Sequence, residues 1–254
     1  GFRRDRAGMK RWLQLVLGLA LAGLFIWLIL RDLDREGLAR SLRDPDWRWL
    51  AIGLAFWTSG YALRVLRWRA MLAVANPELG FWRCAVPFLG SIAANNVLPF
   101  RLGDVLRCLA FSRWLAVDAG RVTATVLAER LLDLLTVLVA LGLAILAFAP
   151  REGALGLLGV GASALIGLAL VAMGLLFVPS ALRPLARGAE TVLRRASPPA
   201  ANRLAGFSGP LIDMLVQLAH GPRMAGLIGA SVMVWTCEGA VYWSVAMALP
   251  AIVE

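Results

Sequence analysis

The stretch Thr125-Val126-Leu127-Ala128-Glu129-Arg130-Leu131-Leu132-Asp133 decides how this chain is read. It places three ionisable side chains inside an apolar run extending from about Val122 to Ala149. Such a run is long enough to cross a bilayer, which takes roughly 20 mostly apolar residues. Each ionisable residue costs about 2.5–3.5 kcal/mol at the centre of an inserting helix. Three cost roughly 8–10 kcal/mol, nearly cancelling about fifteen large apolar residues at about −0.5 kcal/mol each. The helix is therefore expected to turn its charged face to protein or to a wet cavity. Glu129 and Asp133 share that face at i,i+4, and Arg130 stands three residues before Asp133, the spacing of an intrahelical ion pair.

The rest of the chain agrees with a membrane setting. Of 254 residues, 60% are hydrophobic, against the 45–50% usual for soluble domains, and the mean hydropathy is +0.74. A first span is expected at about Trp12–Leu30, behind Arg3, Arg4, Arg6, Lys10 and Arg11, which would hold the N-terminus in the cytoplasm. It lacks a small-residue cleavage site and reads as a retained anchor. Arg31–Arg48 follows as an outside loop, and Trp47–Leu72 returns inward with Arg64, Arg67 and Arg69 in its last third. Val122–Ala149 then runs out and Ala154–Val178 runs back, with Gly156, Gly159, Gly161, Gly167 and Gly174 suited to close helix packing. Met224–Leu249 runs out again. Trp47, Trp49, Trp68 and Trp82 fit the aromatic belts of the two interfaces.

Two segments are not ordinary spans. In residues 81–116, apolar sequence gives way to Asn95-Asn96, Pro99, Arg101, Gly103, Asp104 and Arg107. Irregular backbone at membrane depth is tolerated only against protein or water. The reading is a re-entrant hairpin of two half-helices, Phe81–Ala94 and Leu102–Leu115, broken around Asn95–Phe100. Residues 179–222 alternate an apolar face (Leu182, Leu185, Ala186, Ala189, Val192, Leu193) with a charged one (Arg183, Arg187, Glu190, Arg194) and continue past Pro198-Pro199 into a second amphipathic piece. Two interfacial helices on the cytoplasmic side account for them. If the hairpin crossed the membrane instead, this basic segment would fall outside. The fold class expected is thus all-α: a polytopic integral membrane protein of about five full spans plus the hairpin, forming one domain over residues 1–254. The sequence stops just after an apolar run, at Ala251-Ile252-Val253-Glu254, so further spans are expected beyond it.

Charge and composition exclude several functions. The net charge of +10 sits at the ends of apolar runs, without a nucleic-acid-binding motif, so anionic lipid and not nucleic acid is the expected partner. Cys84, Cys108 and Cys237 are isolated, odd in number and without C-x-x-C spacing, so they read as reduced thiols, with neither disulfide nor metal site. No Walker A pattern, G-x-S-x-G or zinc-ligand set occurs, and the single histidine, His220, reads as interfacial. No cofactor and no enzymatic activity are therefore expected.

The candidate substrate-binding residues are those where ionic groups and a helix break coincide. Asn95, Asn96, Arg101, Asp104 and Arg107 lie on the hairpin; Glu129, Arg130 and Asp133 lie on the charged helix. A half-helix N-terminus points free N–H groups inward, and Arg101 beside it suits a phosphate or carboxylate. Broken helices of this kind line substrate sites in transporters. Glu238 reads either as a proton-coupled carboxylate or as the partner of an arginine, and Arg64 and Arg67 either snorkel or touch substrate. Any of the intramembrane ions can instead pair simply to hold helices together.

Asn96-Val97-Leu98-Pro99-Phe100-Arg101-Leu102-Gly103-Asp104-Val105-Leu106-Arg107 resembles the N-x-L-x-P-x-R-x-G-[DE]-x-x-R signature of the membrane region of lysylphosphatidylglycerol synthase/flippases. Val126–Asp133 resembles that family's apolar helix with E-R-x-x-D, and Arg64-x-x-Arg67-Trp68 a weaker third signature. The order and spacing agree over nearly the whole chain, with Asp104 where Glu is common. The resemblance implies a domain that moves lipids across the bacterial cytoplasmic membrane. The cargo would be a phospholipid, aminoacyl-lipid, glycolipid or hopanoid, and a homo-oligomer is compatible with it. No synthase domain is present. Arg101 and Arg107 would hold a phosphate, Asn95 and Asn96 would bond head-group oxygens, and Glu129, Asp133 and Asp104 would set the cavity's charge. The alternatives are a non-catalytic scaffold of an envelope-lipid synthesis complex and, with less support, an integral-membrane lipid-modifying enzyme.

Overall fold

In a computed structural model of the chain, the described residues are 16, 18, 20, 21, 23–28, 31, 45–98, 101–148 and 155–249. Among them every regular element is helical. In order these are α1 (Trp47–Leu72), α2 (Phe81–Val97), α3 (Leu102–Leu109), α4 (Ser112–Leu115), α5 (Ala119–Phe148), α6 (Leu155–Phe177), a 3₁₀ turn (Pro179–Ala181), α7 (Leu182–Ala196), α8 (Pro198–Leu218) and α9 (Gly221–Ala248). The described residues between 16 and 31 are also helical.

The chain divides into two compact units, Gly1–Leu54 with Tyr242–Glu254, and Ala55–Val241. Within the first, Asp46 caps α1: its Oδ1 accepts the Arg48 N–H at 2.9 Å, and its own N–H donates to Ala248 O at 3.1 Å. Trp49 and Trp243 meet edge-on at 4.9 Å. The second unit carries the candidate site.

In the second unit the helix boundaries follow local chemistry. α2 runs three residues further than the sequence suggested, so Asn95 and Asn96 belong to a helix and not to a break. It ends when Leu98 turns extended (φ −94°, ψ 139°), because the residue before Pro99 is excluded from the helical region. The return leg is not the single half-helix expected either; it breaks at Ala110-Phe111 into α3 and α4. Ala116 in the left-handed conformation (φ 51°) closes α4, its N–H reaching Arg113 O.

The two legs fold back on each other. At the open end Arg83 Nε donates to Trp114 O and Trp114 Nε1 donates to Arg83 O, both at 3.2 Å. Asn76, just after α1, donates to Leu115 O at 3.1 Å. The end of α1 and both ends of the hairpin thus lie at one level. Near the tip the legs press together at Gly103, where any Cβ would overlap the Ser91 carbonyl oxygen and Asn95 Oδ1. Gly120 serves α5 in the same way, since a Cβ there would stand 2.6 Å from Phe207 O on α8. Gly167 and Gly174 of α6 do not act as expected, since a Cβ at either would meet nothing within 4 Å; the surroundings of Gly156, Gly159 and Gly161 lie outside the described residues.

Two apolar clusters flank the site. One joins α1, α5, α6, α8 and α9 through Met71, Leu132, Leu176, Met214, Leu218 and Leu227. The other joins α1 to the hairpin through Trp68, Leu72, Phe88, Leu115 and Val122. Trp68 is fully buried in the second, so it is not an interfacial belt residue. The apolar face expected on α7 divides: Leu182, Ala186 and Leu193 are half-buried, whereas Leu185 and Val192 are about 70% exposed (70% and 69%).

Among the described residues, two helices, α1 and α9, are long and apolar enough to cross a membrane. A third counts if the end of α6 and the stretch Pro179–Ala196, bent by 92°, form one span. The expected five are not reached. α5 is 30 residues long, about 45 Å, but carries Glu129, Arg130 and Asp133. Nine of the nineteen residues of the span expected at Trp12–Leu30, and residues 32–44 of the loop expected at Arg31–Arg48, lie outside the described residues.

Candidate functional site

Five helices of the Ala55–Val241 unit converge on a cavity of about 290 Å³. α1 contributes Tyr61 and Arg64; α2, Phe88 and Ile92; α3, Asp104 and Arg107; α5, Glu129, Arg130 and Asp133; α9, Trp235 and Glu238. Helical spacing explains the convergence. Positions four or three apart fall on one face, so Arg64 follows Tyr61, Arg107 follows Asp104, and Asp133 follows Glu129 around to the same side.

The ions pair across helices and not along them. Arg107 Nη2 donates to Glu129 Oε2 at 2.6 Å, Arg130 Nη2 to Asp104 Oδ2 at 2.7 Å, Arg67 Nη1 to Asp133 Oδ1 at 2.8 Å, and Arg64 Nη2 to Glu238 Oε2 at 2.7 Å. The i,i+3 pairing of Arg130 with Asp133 does not form; each finds a partner on another helix. Four arginines meet four carboxylates, so the group is formally neutral, although the contributions of α1, α5 and α9 taken singly are not.

The four pairs differ in exposure. Arg107 and Glu129 are sealed, at 1% and 6% side-chain exposure. The Arg107 guanidinium also lies 4.7 Å from the Trp68 ring centroid and 4.8 Å from that of Phe88, a cation–π arrangement in a dry setting. Trp68 is held by its Nε1–H donating to Thr125 Oγ1 at 2.9 Å. Arg67, 2% exposed, donates from Nη1 to Ser231 Oγ at 2.6 Å as well, so it does not snorkel. Arg130–Asp104 and Arg64–Glu238 are partly open, with side-chain exposures up to 42% at Arg130.

Asn95 Nδ2 donates to Asp104 Oδ1 at 3.0 Å, holding that carboxylate from the hairpin side while Arg130 holds it from α5. Asn96 is exposed and lines a separate apolar groove of about 460 Å³ between α1 and α2, which shares Tyr61 and Ile92 with the charged cavity. Arg101 is exposed, at the N-cap of α3, in the left-handed conformation (φ 52°), and does not line the cavity. Two buried donor atoms of residues lining the cavity have no partner, Arg107 Nε and Trp235 Nε1, and a third, Arg67 Nη2, lies beside it. Native proteins leave few such groups unsatisfied, and acceptor oxygens of a bound molecule would complete them.

Trp68, Ser231, Tyr61 and Trp235 belong to this region without having been singled out as binding residues. Trp68 adjoins Arg67 in sequence, but its belt-like position masked it. Ser231 is one of several hydroxyl residues in an apolar helix and carries no signal of its own. Among the described residues no cluster of three or more metal-ligating side chains occurs.

The family model described as lysylphosphatidylglycerol synthase TM region matches residues 15–253. No curated protein and no solved structure matches the chain significantly.

Proposed function

We propose, from the premise that this chain belongs to the lysylphosphatidylglycerol synthase TM region family, that it translocates a polar or anionic lipid across the bacterial cytoplasmic membrane through the charged cavity. The observation that carries this is the contrast within the cavity. One pair, Arg107–Glu129, is sealed, while Arg130–Asp104 and Arg64–Glu238 remain partly open. Sealed pairs hold helices; open pairs can exchange partners with a head group at small cost, since an exposed ion pair is worth only about 0–1 kcal/mol.

In this reading Arg64 and Arg130 receive the anionic part of the head group, and Asp104 and Glu238 its hydroxyls or cationic part. Arg107 pairs with Glu129 and keeps only its Nε for a ligand, and Arg101 stands off the cavity, so the main phosphate-binding role expected of them passes to Arg64 and Arg130. The hairpin of α2 to α4 is re-entrant, leaving and regaining the cytoplasmic side. With α1 and α9, the segment Trp12–Leu30, Val122–Ala149 and α6 make up the set of about five spans, with the N-terminus inside. The protein is a transporter and not an enzyme, and needs no cofactor.

A second reading, a non-catalytic scaffold, is favoured by the one-to-one pairing of all four arginines with carboxylates. The two separate by experiment. Lipids co-purifying with the protein are identified by mass spectrometry for wild type and Arg130→Gln. Transport expects one lipid enriched over the membrane average and depleted in the variant. Identical bulk lipid in both sinks the transport reading and leaves the scaffold.

A further inference from the structure

A second groove, of about 360 Å³, opens on the far face of α1 from Tyr61. Leu63, Leu66, Arg67 and Ala70, spaced i, i+3, i+4 and i+7, form its α1 wall. α9 forms the other wall, from Arg223 to Ala230. Unlike the central cavity, it is lined by two arginines and no carboxylate. Its remaining lining is almost wholly apolar.

Three independent features there favour an anion. Arg223 is exposed in the first turn of α9. That turn holds no acidic residue, so the partial positive charge of the helix N-terminus is not offset from within it. Arg67, only 2% exposed, lines the same groove and leaves Nη2 without a hydrogen-bond partner. A free phosphate would match the cations but not the leucines between them. Arg223 lies eight residues before Ser231, the residue that receives Arg67, which is about 12 Å along the helix. An amphiphile covers both ends of such a groove.

We infer that the groove between α1 and α9 binds an anionic phospholipid, with its phosphate at Arg223 and the start of α9 and an acyl chain along Leu63, Leu66 and Leu227. The site is distinct from the charged cavity and does not depend on the transport reading. It is linked to the cavity through Arg67, whose Nη1 holds Asp133 on the cavity side.

The test titrates the purified chain in detergent with phosphatidylglycerol and, in parallel, with phosphatidylcholine, counting bound lipids by native mass spectrometry. The variants are Arg223→Ala, Arg223→Lys and Gly226→Leu. The last fills the groove at a position where a Cβ meets no atom within 4 Å. Wild type is expected to retain phosphatidylglycerol over phosphatidylcholine. Arg223→Ala is expected to bind it roughly fivefold more weakly, as loss of one interfacial cation implies. Arg223→Lys keeps binding and Gly226→Leu abolishes it. Because the two sites are altered independently, Arg223→Ala and Gly226→Leu each keep the test alive if the other misfolds. Equal retention of both lipids, or unchanged binding in both variants, overturns the proposal. Displacement of the lipid by excess inorganic phosphate would also overturn it, leaving a simple anion site.

Discussion

Arg107 and Glu129 form a 2.6 Å ion pair that fastens the hairpin to α5, with both side chains shut away from solvent and the guanidinium flanked by Trp68 and Phe88. Neither residue can lose its partner cheaply. A buried charge left without its counter-charge costs about 3–5 kcal/mol, whereas replacing both partners by apolar groups is often neutral.

Arg107→Met is therefore expected to destabilise the protein by about 3–5 kcal/mol, and the double variant Arg107→Met/Glu129→Leu to recover most of that loss. Thermal unfolding in detergent, followed by intrinsic tryptophan fluorescence, measures both. A single variant as stable as wild type would show that the pair holds nothing.

The open pair behaves differently. Asp104→Asn removes a carboxylate whose partner, Arg130, is 42% exposed, so the expected stability change is within about 1 kcal/mol. Lipid translocation should nonetheless fall. Melting temperature and transport, measured on the same preparation, separate the two effects; a large drop in melting temperature would mean that Asp104 is mainly structural.

Glycines divide sharply. Gly103→Ala forces the hairpin legs apart, because its Cβ would overlap the Ser91 carbonyl oxygen, and overpacking against backbone costs about 1–3 kcal/mol. Gly174→Ala meets nothing within 4 Å and gains helix propensity, so it should be neutral or stabilising. Comparing their unfolding midpoints checks both; equal destabilisation would contradict the close approach at Gly103.

Much of this arrangement was legible in the sequence, for definable reasons. Apolar run lengths located α1, α5, α6 and α9 to within a few residues, and the Asn-Pro stretch marked the hairpin. The charged face of α5 announced itself through the insertion cost of Glu129, Arg130 and Asp133. The pairing was not legible. Sequence spacing offers only partners on the same helix, such as Arg130 with Asp133, whereas the structure joins Arg130 to Asp104 and Asp133 to Arg67. That choice depends on which helices pack against α5; the close contact at Gly103 and the bond from Asn95 to Asp104, both between the hairpin legs, fix only where Asp104 stands. The break itself was misplaced onto Asn95 and Asn96, because the restriction from Pro99 reaches back only to Leu98.

The re-entrant course proposed for the hairpin makes a topological prediction. Trp82, 76% exposed at the start of α2, and Trp114, 52% exposed in α4, lie at the level where Arg83 and Trp114 bond to each other. Single cysteines at 82 and 114, in a background lacking Cys84, Cys108 and Cys237, should react with an impermeant maleimide from the same side of the membrane. Labelling from opposite sides would mean that the hairpin crosses.

The central claim is that lipid head groups pass through the cavity where Arg130–Asp104 and Arg64–Glu238 stand open. Its most direct measurement is head-group translocation in proteoliposomes, read by chemical quenching of a fluorescent lipid in the outer leaflet, for wild type, Asp104→Asn and Glu238→Gln. Wild type should accelerate exchange over protein-free vesicles, and both variants should lose that acceleration while remaining folded. Exchange at the protein-free rate with folded wild type, or wild-type rates in both variants, would contradict it.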